Sequence, residues 1–214
     1  MKILPLADAR NHAADLATIL ASGGLVCFPI GGIYRIVADA RSDAAINRLM
    51  QSKRRARNHP ALLLVADLAA ARAVVKGTAW RLTQRLAQRL WPGPLTLVLP
   101  PSDDLPPAVK KLLTRATGAL GIRVPDEPLA TDVVRAFGGP LLVSSANLEQ
   151  KPGATSAAAI RQRFVHTVDL WIDAGDTRPG PPSTIVELSE TTWTLVREGA
   201  ISRAQLEHAA PQAA

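Results

Sequence analysis

The sequence predicts an α/β protein built on a mixed β-sheet, and three observations predict it. Short apolar runs alternate with stretches whose apolar residues recur every three or four positions, which is the pattern of strands alternating with helices. Late in the chain, apolar runs follow one another closely, so the sheet is expected to be mixed rather than purely parallel. Small polar and basic clusters lie just outside the apolar runs, where open α/β sheets place their ligand contacts.

The elements follow in order. Residues 12–22 read as a helix with Ala14, Leu16, Ala17 and Leu20 apolar, stopped by Gly23-Gly24. The run 25–29 is a buried strand ending at Pro29, and Ser42 or Asp43 caps a helix carrying Ile46, Leu49 and Met50. Leu62–Val65 is a short strand, and Leu82, Leu86 and Leu90 mark a helix over 78–90 that Trp91-Pro92-Gly93 breaks. Strands are expected at 95–99 and 119–124, a helix from Asp126-Pro128 through Phe137 to Gly138-Gly139, and a strand at 140–144. A helix of about 155–164 and strands at 168–172, 184–188 and 193–197 complete the reading.

At 214 residues the chain is expected to form one domain over 1–208, followed by a frayed tail at 209–214. Its net charge of +7 favours an anionic partner such as nucleotide, phosphate or RNA, unless that charge is only a solvated, Arg-rich surface. Cys27, the one cysteine, lies in the run Leu25-Val26-Cys27-Phe28, which excludes an intramolecular disulfide and suits a reducing compartment. The histidines at 12, 59, 166 and 208 have no metal-ligand spacing, so no protein-held metal is expected. No run approaches the roughly 18 apolar residues of a membrane helix, and the N-terminus has no signal-peptide pattern. A cytoplasmic protein that avoids membranes is expected.

The clusters carry the chemistry. Lys53-Arg54-Arg55-Ala56-Arg57 is either a helix C-terminus collecting cations against its dipole or an anion clamp. Ser144-Ser145-Ala146-Asn147 follows a buried strand, and is either a ligand contact or a polar turn. Ser183-Thr184 follows the Gly/Pro-rich loop Gly175–Pro182, which either wraps a ligand or connects two strands. Arg123 and Arg197 each lie in or just after an apolar strand, as phosphate ligands or as members of internal salt bridges. Walker A and Gly-x-Gly-x-x-Gly sequences are absent, as is a Gly-x-Ser-x-Gly elbow, so the usual nucleotide folds and serine hydrolases are not indicated.

Taken together, the clusters resemble the YrdC/Sua5 family of threonylcarbamoyl-AMP synthases from about Ala14 to Ile201. The matching motifs are Lys53-x-Arg55 with Pro60, Trp91-Pro-Gly-Pro-Leu-Thr96, Arg123-Val-Pro-Asp126, Ser145-Ala-Asn147, Ser183-Thr-Ile-Val186 and Arg197-x-Gly-Ala-Ile201. The resemblance is to the short, single-domain form. It implies a twisted open mixed sheet flanked by helices, with a concave basic cleft. It further implies that L-threonine, bicarbonate or CO2, and ATP give threonylcarbamoyl-adenylate and pyrophosphate, feeding the downstream t6A transferase machinery that modifies tRNA. Lys53 and Arg55 would be catalytic, holding carboxylate and phosphate. Ser145 and Asn147 would contact nucleotide, Ser183 and Arg197 would grip substrate and phosphates, and Arg123 would join the nucleotide side. Mg2+ would travel with ATP.

One segment departs from the family. Pro29-Ile30-Gly31-Gly32-Ile33-Tyr34-Arg35-Ile36 stands where the family usually reads Pro-Thr-(Glu/Asp)-Thr-x-Tyr-Gly-Leu. Pro29 and Tyr34 are retained in this substrate loop, Ile30 has no hydroxyl to donate, and Arg35 brings bulk and charge in place of a glycine. Glu149-Gln150 likewise replaces Ser-Gly. Two further functions fit the residues. One is a non-catalytic paralogue binding tRNA, double-stranded RNA or nucleotide through basic groups, since aromatics are only 4% and offer no stacking platform. The other is an adenylate-forming enzyme acting on a different amine.

Overall fold

The structure, a computed structural model, describes residues 1–52, 62–107, 110–111, 118–146 and 156–211. Among them the strands are β1 (Lys2–Pro5), β2 (Val26–Ile30), β3 (Ile33–Asp39), β4 (Leu62–Leu64) and β5 (Leu95–Leu99). They continue with β6 (Leu120–Arg123), β7 (Leu141–Ser145), β8 (Leu170–Asp173), β9 (Thr184–Leu188) and β10 (Trp193–Arg197). The α-helices are α1 (Leu6–Ala9), α2 (Ala13–Ala21), α3 (Asp43–Ser52), α4 (Leu68–Val74), α5 (Trp80–Leu90), α6 (Pro128–Phe137), α7 (Ala157–Phe164) and α8 (Arg203–Ala209).

These strands form one sheet in the order β1-β8-β2-β3-β7-β4-β6-β5-β9-β10. The pairs β1–β8, β8–β2, β4–β6 and β5–β9 are parallel, and the remaining neighbours are antiparallel, so the sheet is mixed as expected. One face is covered by α3, α4, α5, α7 and α8. Ile46 and Leu49, Leu82 and Leu86, Ile160 and Phe164, and Leu206 pack there on Ile36, Leu63, Leu97, Ile122 and Trp171.

Among the described residues the other face is covered only in part. Leu16 and Leu20 of α2, with Leu129, Val133 and Val134 of α6, pack on Val26, Phe28, Val37, Leu64, Leu141 and Val143. That second core stops at Leu64 of β4 and takes nothing from β5, β6, β9 or β10. The alternation of side chains places Gly121 and Arg123, Thr96 and Val98, Ile185 and Glu187, and Thr194 on the same face beyond it. A register shift between Leu195 and Arg197 brings Arg197 opposite Ile185 and adds it to this open face.

The segment 29–36, expected as a substrate loop, is folded as a hairpin. Gly31 and Gly32 have φ of 63° and 70°, the left-handed pair that a tight two-residue turn requires, and Ile30 pairs with Ile33 across it. Pro29 is tolerated because β2 meets β8 only through Val26 and Cys27, leaving its far half as an edge on that side. Packing also runs further along the chain than the expected boundary at 208. Ala209 and Ala210 are buried, and the Trp193 indole donates to the Ala210 carbonyl at 2.8 Å. Elements that the sequence reading did not contain are β1, β3, α1, α4 and α8.

Candidate functional site

Three of the sequence clusters meet at the start of β9. Thr184 has no exposed surface, and its hydroxyl donates to the Ile201 carbonyl at 2.6 Å while accepting from the amides of Gly199 (3.0 Å) and Ile201 (2.9 Å). The Thr184 amide donates to the Pro94 carbonyl at 2.9 Å, and Ala200 donates to the Pro182 carbonyl at 2.9 Å. Segments 91–96, 182–186 and 197–201 are thereby tied together by backbone and one hydroxyl. A Cβ on Gly199 would overlap the Pro182 carbonyl, so the approach itself depends on glycine.

On the surface of this knot sit the groups that can meet a ligand. Thr96 Oγ1 donates to Ser183 Oγ at 3.1 Å. Arg197 donates to the Ser183 carbonyl from Nε (3.2 Å) and from a terminal nitrogen (2.7 Å), and reaches Ser183 Oγ at 3.4 Å. Arg197 is exposed and has no carboxylate partner among the described residues. It is a fixed cation facing solvent, with a hydroxyl beside it.

Arg123 is different. Only 6% exposed, it donates from Nε to the Gly93 carbonyl at 2.8 Å. One terminal nitrogen meets Asp126 Oδ1 at 2.7 Å and both Glu127 oxygens at 3.0 Å. Of the two readings open in the sequence, phosphate ligand or internal salt bridge, this geometry is the second. Arg123 binds the Trp91–Gly93 segment to the start of α6, and so shapes the wall of the open face.

The hairpin contributes in an unexpected way. Ile30 is 2% exposed and its side chain packs in the second core. Tyr34 is wholly buried, stacked on Trp171 at 4.3 Å between centroids. Its hydroxyl donates to the Gly175 carbonyl and accepts from the Ala174 amide, both at 2.9 Å. Burial, more than any neighbouring charge, pushes the phenol above its ordinary value, so it stays protonated. The residue expected in a substrate loop instead anchors the 174–182 segment, which passes over the hairpin. Gly180 donates to the Gly31 carbonyl at 3.4 Å, and a Cβ on Gly32 would overlap the Arg178 carbonyl.

Arg35 is the group that the motif reading did not place in the site. In β3 it pairs with Phe28 on one side and Ser145 of β7 on the other, so the two polar residues are neighbours across the strands. Its Nε donates to the Ile30 carbonyl at 3.3 Å. Its guanidinium pKa is lowered by burial first, then by the charges of Arg123 and Arg197, with Glu127 opposing. Arg35 therefore shares a local field with both other arginines. The sequence signal was a lone cation in an otherwise apolar strand. Lys53, Arg55 and Asn147, with Pro60, Glu149 and Gln150, lie outside the described residues. Among the described residues no cluster of His, Cys, Asp and Glu could hold a metal ion, and no helix is long and apolar enough to cross a membrane.

The Sua5/YciO/YrdC family model, described as telomere recombination, matches residues 18–199. A threonylcarbamoyl-AMP synthase of Pyrococcus abyssi is 31% identical over 191 residues, covering 89% of this chain and 55% of that protein. A threonylcarbamoyl-AMP synthase of Chromohalobacter salexigens is 33% identical over 181 residues, covering 85% of this chain and 95% of that protein. The chain thus spans about half the length of the Pyrococcus relative and nearly all of the other. Among solved structures, P. abyssi Sua5 complexed with L-threonine superposes with a TM-score of 0.82 at 28% identity, covering 99% of this chain and 61% of that one. Escherichia coli YciO shares the fold at a TM-score of 0.75 and 24% identity, covering 96% and 98% of the two chains. With its hydroxyl-clamped basic face and a family match over most of its length, the chain belongs to the Sua5/YciO/YrdC family.

Proposed function

We propose that the protein is a threonylcarbamoyl-AMP synthase, using L-threonine, bicarbonate or CO2, and ATP with its Mg2+. The observation that carries this reading is the open face itself. It offers a fixed Arg197 with no carboxylate partner among the described residues, beside the Thr96–Ser183 hydroxyl pair, on a family scaffold whose relatives bear that activity in their names. Bicarbonate condenses with the threonine amine, losing water, and a carbamate oxygen then attacks the α-phosphorus. The bond from the α-phosphorus to the bridging oxygen breaks and pyrophosphate leaves with the electron pair.

No protein nucleophile is needed, because positioning and cationic stabilisation of the phosphoryl oxygens supply the catalysis. Arg197 and Ser183 would hold phosphate oxygens, and Ser145 and Asn147 the nucleotide. Lys53 and Arg55 would neutralise carboxylate and phosphate. Arg123 would keep the wall in place through Gly93 and α6. Basic groups at the rim of a concave cleft would meet tRNA or double-stranded RNA through phosphates, and the adenylate would pass to the t6A transferase machinery in the cytoplasm.

The test is chromatography and mass determination of the nucleotide product after incubation with all three reactants. A threonylcarbamoyl-adenylate peak that carries label from bicarbonate supports the reading. ATP binding without that product, together with salt-sensitive RNA binding, favours the non-catalytic paralogue. That alternative rests on the +7 charge and on Ile30 being turned into the core.

A further inference from the structure

We infer that Arg35 is an oxyanion-binding residue of the open face, its outer guanidinium edge taking a pair of carboxylate or phosphate oxygens from one of the reactants. The inference rests on the adenylate-forming reading above and adds to it a contact that none of the motif clusters supplies.

The geometry points there for four reasons. First, Arg35 is restrained: its Nε donates to the carbonyl of Ile30, the residue that opens the tight turn, at 3.3 Å. Second, its two terminal nitrogens have no hydrogen-bond partner among the described residues, and it makes no ion pair there. Third, the carboxylate nearest in charge terms is already committed, since both Glu127 oxygens lie 3.0 Å from Arg123. Fourth, Arg35 is half-buried in a field shared with Arg123 and Arg197, with Ser145 beside it across the sheet.

A guanidinium does not escape this environment by losing its proton, so it remains a desolvated cation with unsatisfied donors. An arriving planar anion relieves both the missing hydrogen bonds and the repulsion between cations, and two parallel N–H donors match two oxygens of one carboxylate or phosphate. Threonine and its carbamate bring carboxylate-type oxygens, and ATP and pyrophosphate bring phosphate oxygens. The shared chemistry is that of an oxyanion.

Two variants separate charge from packing. Arg35→Met keeps the apolar stem and removes the fork, whereas Arg35→Lys keeps the charge and removes the bidentate geometry. KM is measured for threonine, bicarbonate and ATP in turn, and binding of L-threonine and of pyrophosphate is followed by calorimetry without turnover. Arg35→Met is expected to raise one KM by roughly 10- to 100-fold, the scale of a charge-assisted hydrogen bond, with Arg35→Lys intermediate. A rise for threonine or bicarbonate assigns the carboxylate side, and a rise for ATP assigns the phosphate side. Unchanged KM values for all three in folded Arg35→Met overturn the inference while leaving the synthase reading intact. If the wild type makes no adenylate, that reading falls, and calorimetry still decides Arg35. Weaker probe binding in Arg35→Met supports its role, and equal or absent binding in both proteins overturns it.

Discussion

Replacing Thr184 by valine exchanges one hydroxyl for a methyl group and changes almost no volume, yet it strikes the point where three segments are joined. The lost oxygen accepts from the amides of Gly199 and Ile201 and donates to the Ile201 carbonyl. The side chain is fully buried, so water cannot substitute. Net hydrogen bonds are worth about 1 kcal/mol each, and donors left buried without a partner cost more, which together give a destabilisation of about 2–4 kcal/mol. For a chain of this size that lowers Tm by roughly 4–16 °C. Urea titration reads it as a shift in midpoint at constant slope. Thr184→Ser keeps the hydroxyl and should cost only about the 0.8 kcal/mol of one methyl group. Because the same hydroxyl holds the segment that carries Arg197, the valine variant should also raise KM for ATP. A valine cost below about 1 kcal/mol, or a serine variant as weak as the valine one, would refute the reasoning.

Tyr34 is the only tyrosine, so its ionisation can be followed by tyrosinate absorbance. Burial raises its pKa above the ordinary 10.0, so the folded protein keeps a proton that the unfolded chain releases. Its contribution to stability is complete below pH 10.0 and falls as pH rises through the folded pKa. Tyrosinate should therefore appear only above the ordinary range, together with loss of structure, and ionisation at the ordinary value in a folded protein would contradict this. Tyr34→Phe should cost about 1–3 kcal/mol by orphaning the Ala174 amide, and should remove the alkaline dependence. Gly32→Ala should cost at least about 1–2 kcal/mol from the positive φ alone, with a further loss as the Arg178 carbonyl is displaced, measurable by thermal denaturation. Arg123→Met should cost roughly 1–3 kcal/mol by removing the charge-assisted bonds to Asp126 and Glu127 and the bond to the Gly93 carbonyl, and adding Glu127→Gln should recover part of it. A double variant no more stable than Arg123→Met would refute the pairing.

Where local chemistry is strong, the sequence is readable. Leu82 and Leu86 define α5, Pro128 and Gly138 bracket α6, and the apolar runs of β2, β5 and β7 stand in their expected places. The misses have particular causes. Gly31-Gly32 is a hairpin signal, but the motif around it points to a binding loop and obscures β3. β1 buries little and carries no alternation, because it pairs on the sheet's edge with Ile3 largely exposed. α8 was announced by the reciprocal cap of Ser202 and Gln205, and α4 by Asp67, whose side chain accepts from the Ala70 amide. In the site, Arg197 and Ser183 were legible as residues, but their contact was not, since it depends on the bulge that turns Arg197 to the open face. Tyr34 is expected from the sequence in a substrate loop, and the fold gives its hydroxyl a backbone partner. Its hydroxyl serves the 174–182 backbone, a partner about 140 residues away that only the fold supplies.

The synthase reading requires that ATP be consumed only when both the amine and the carboxyl source are present. Pyrophosphate release by purified protein, with ATP and Mg2+ and with threonine and bicarbonate supplied separately and together, measures this directly. The account predicts release only with both present, and its loss in Lys53→Ala. Release that ignores threonine, or none at all from protein that still binds ATP, would contradict it.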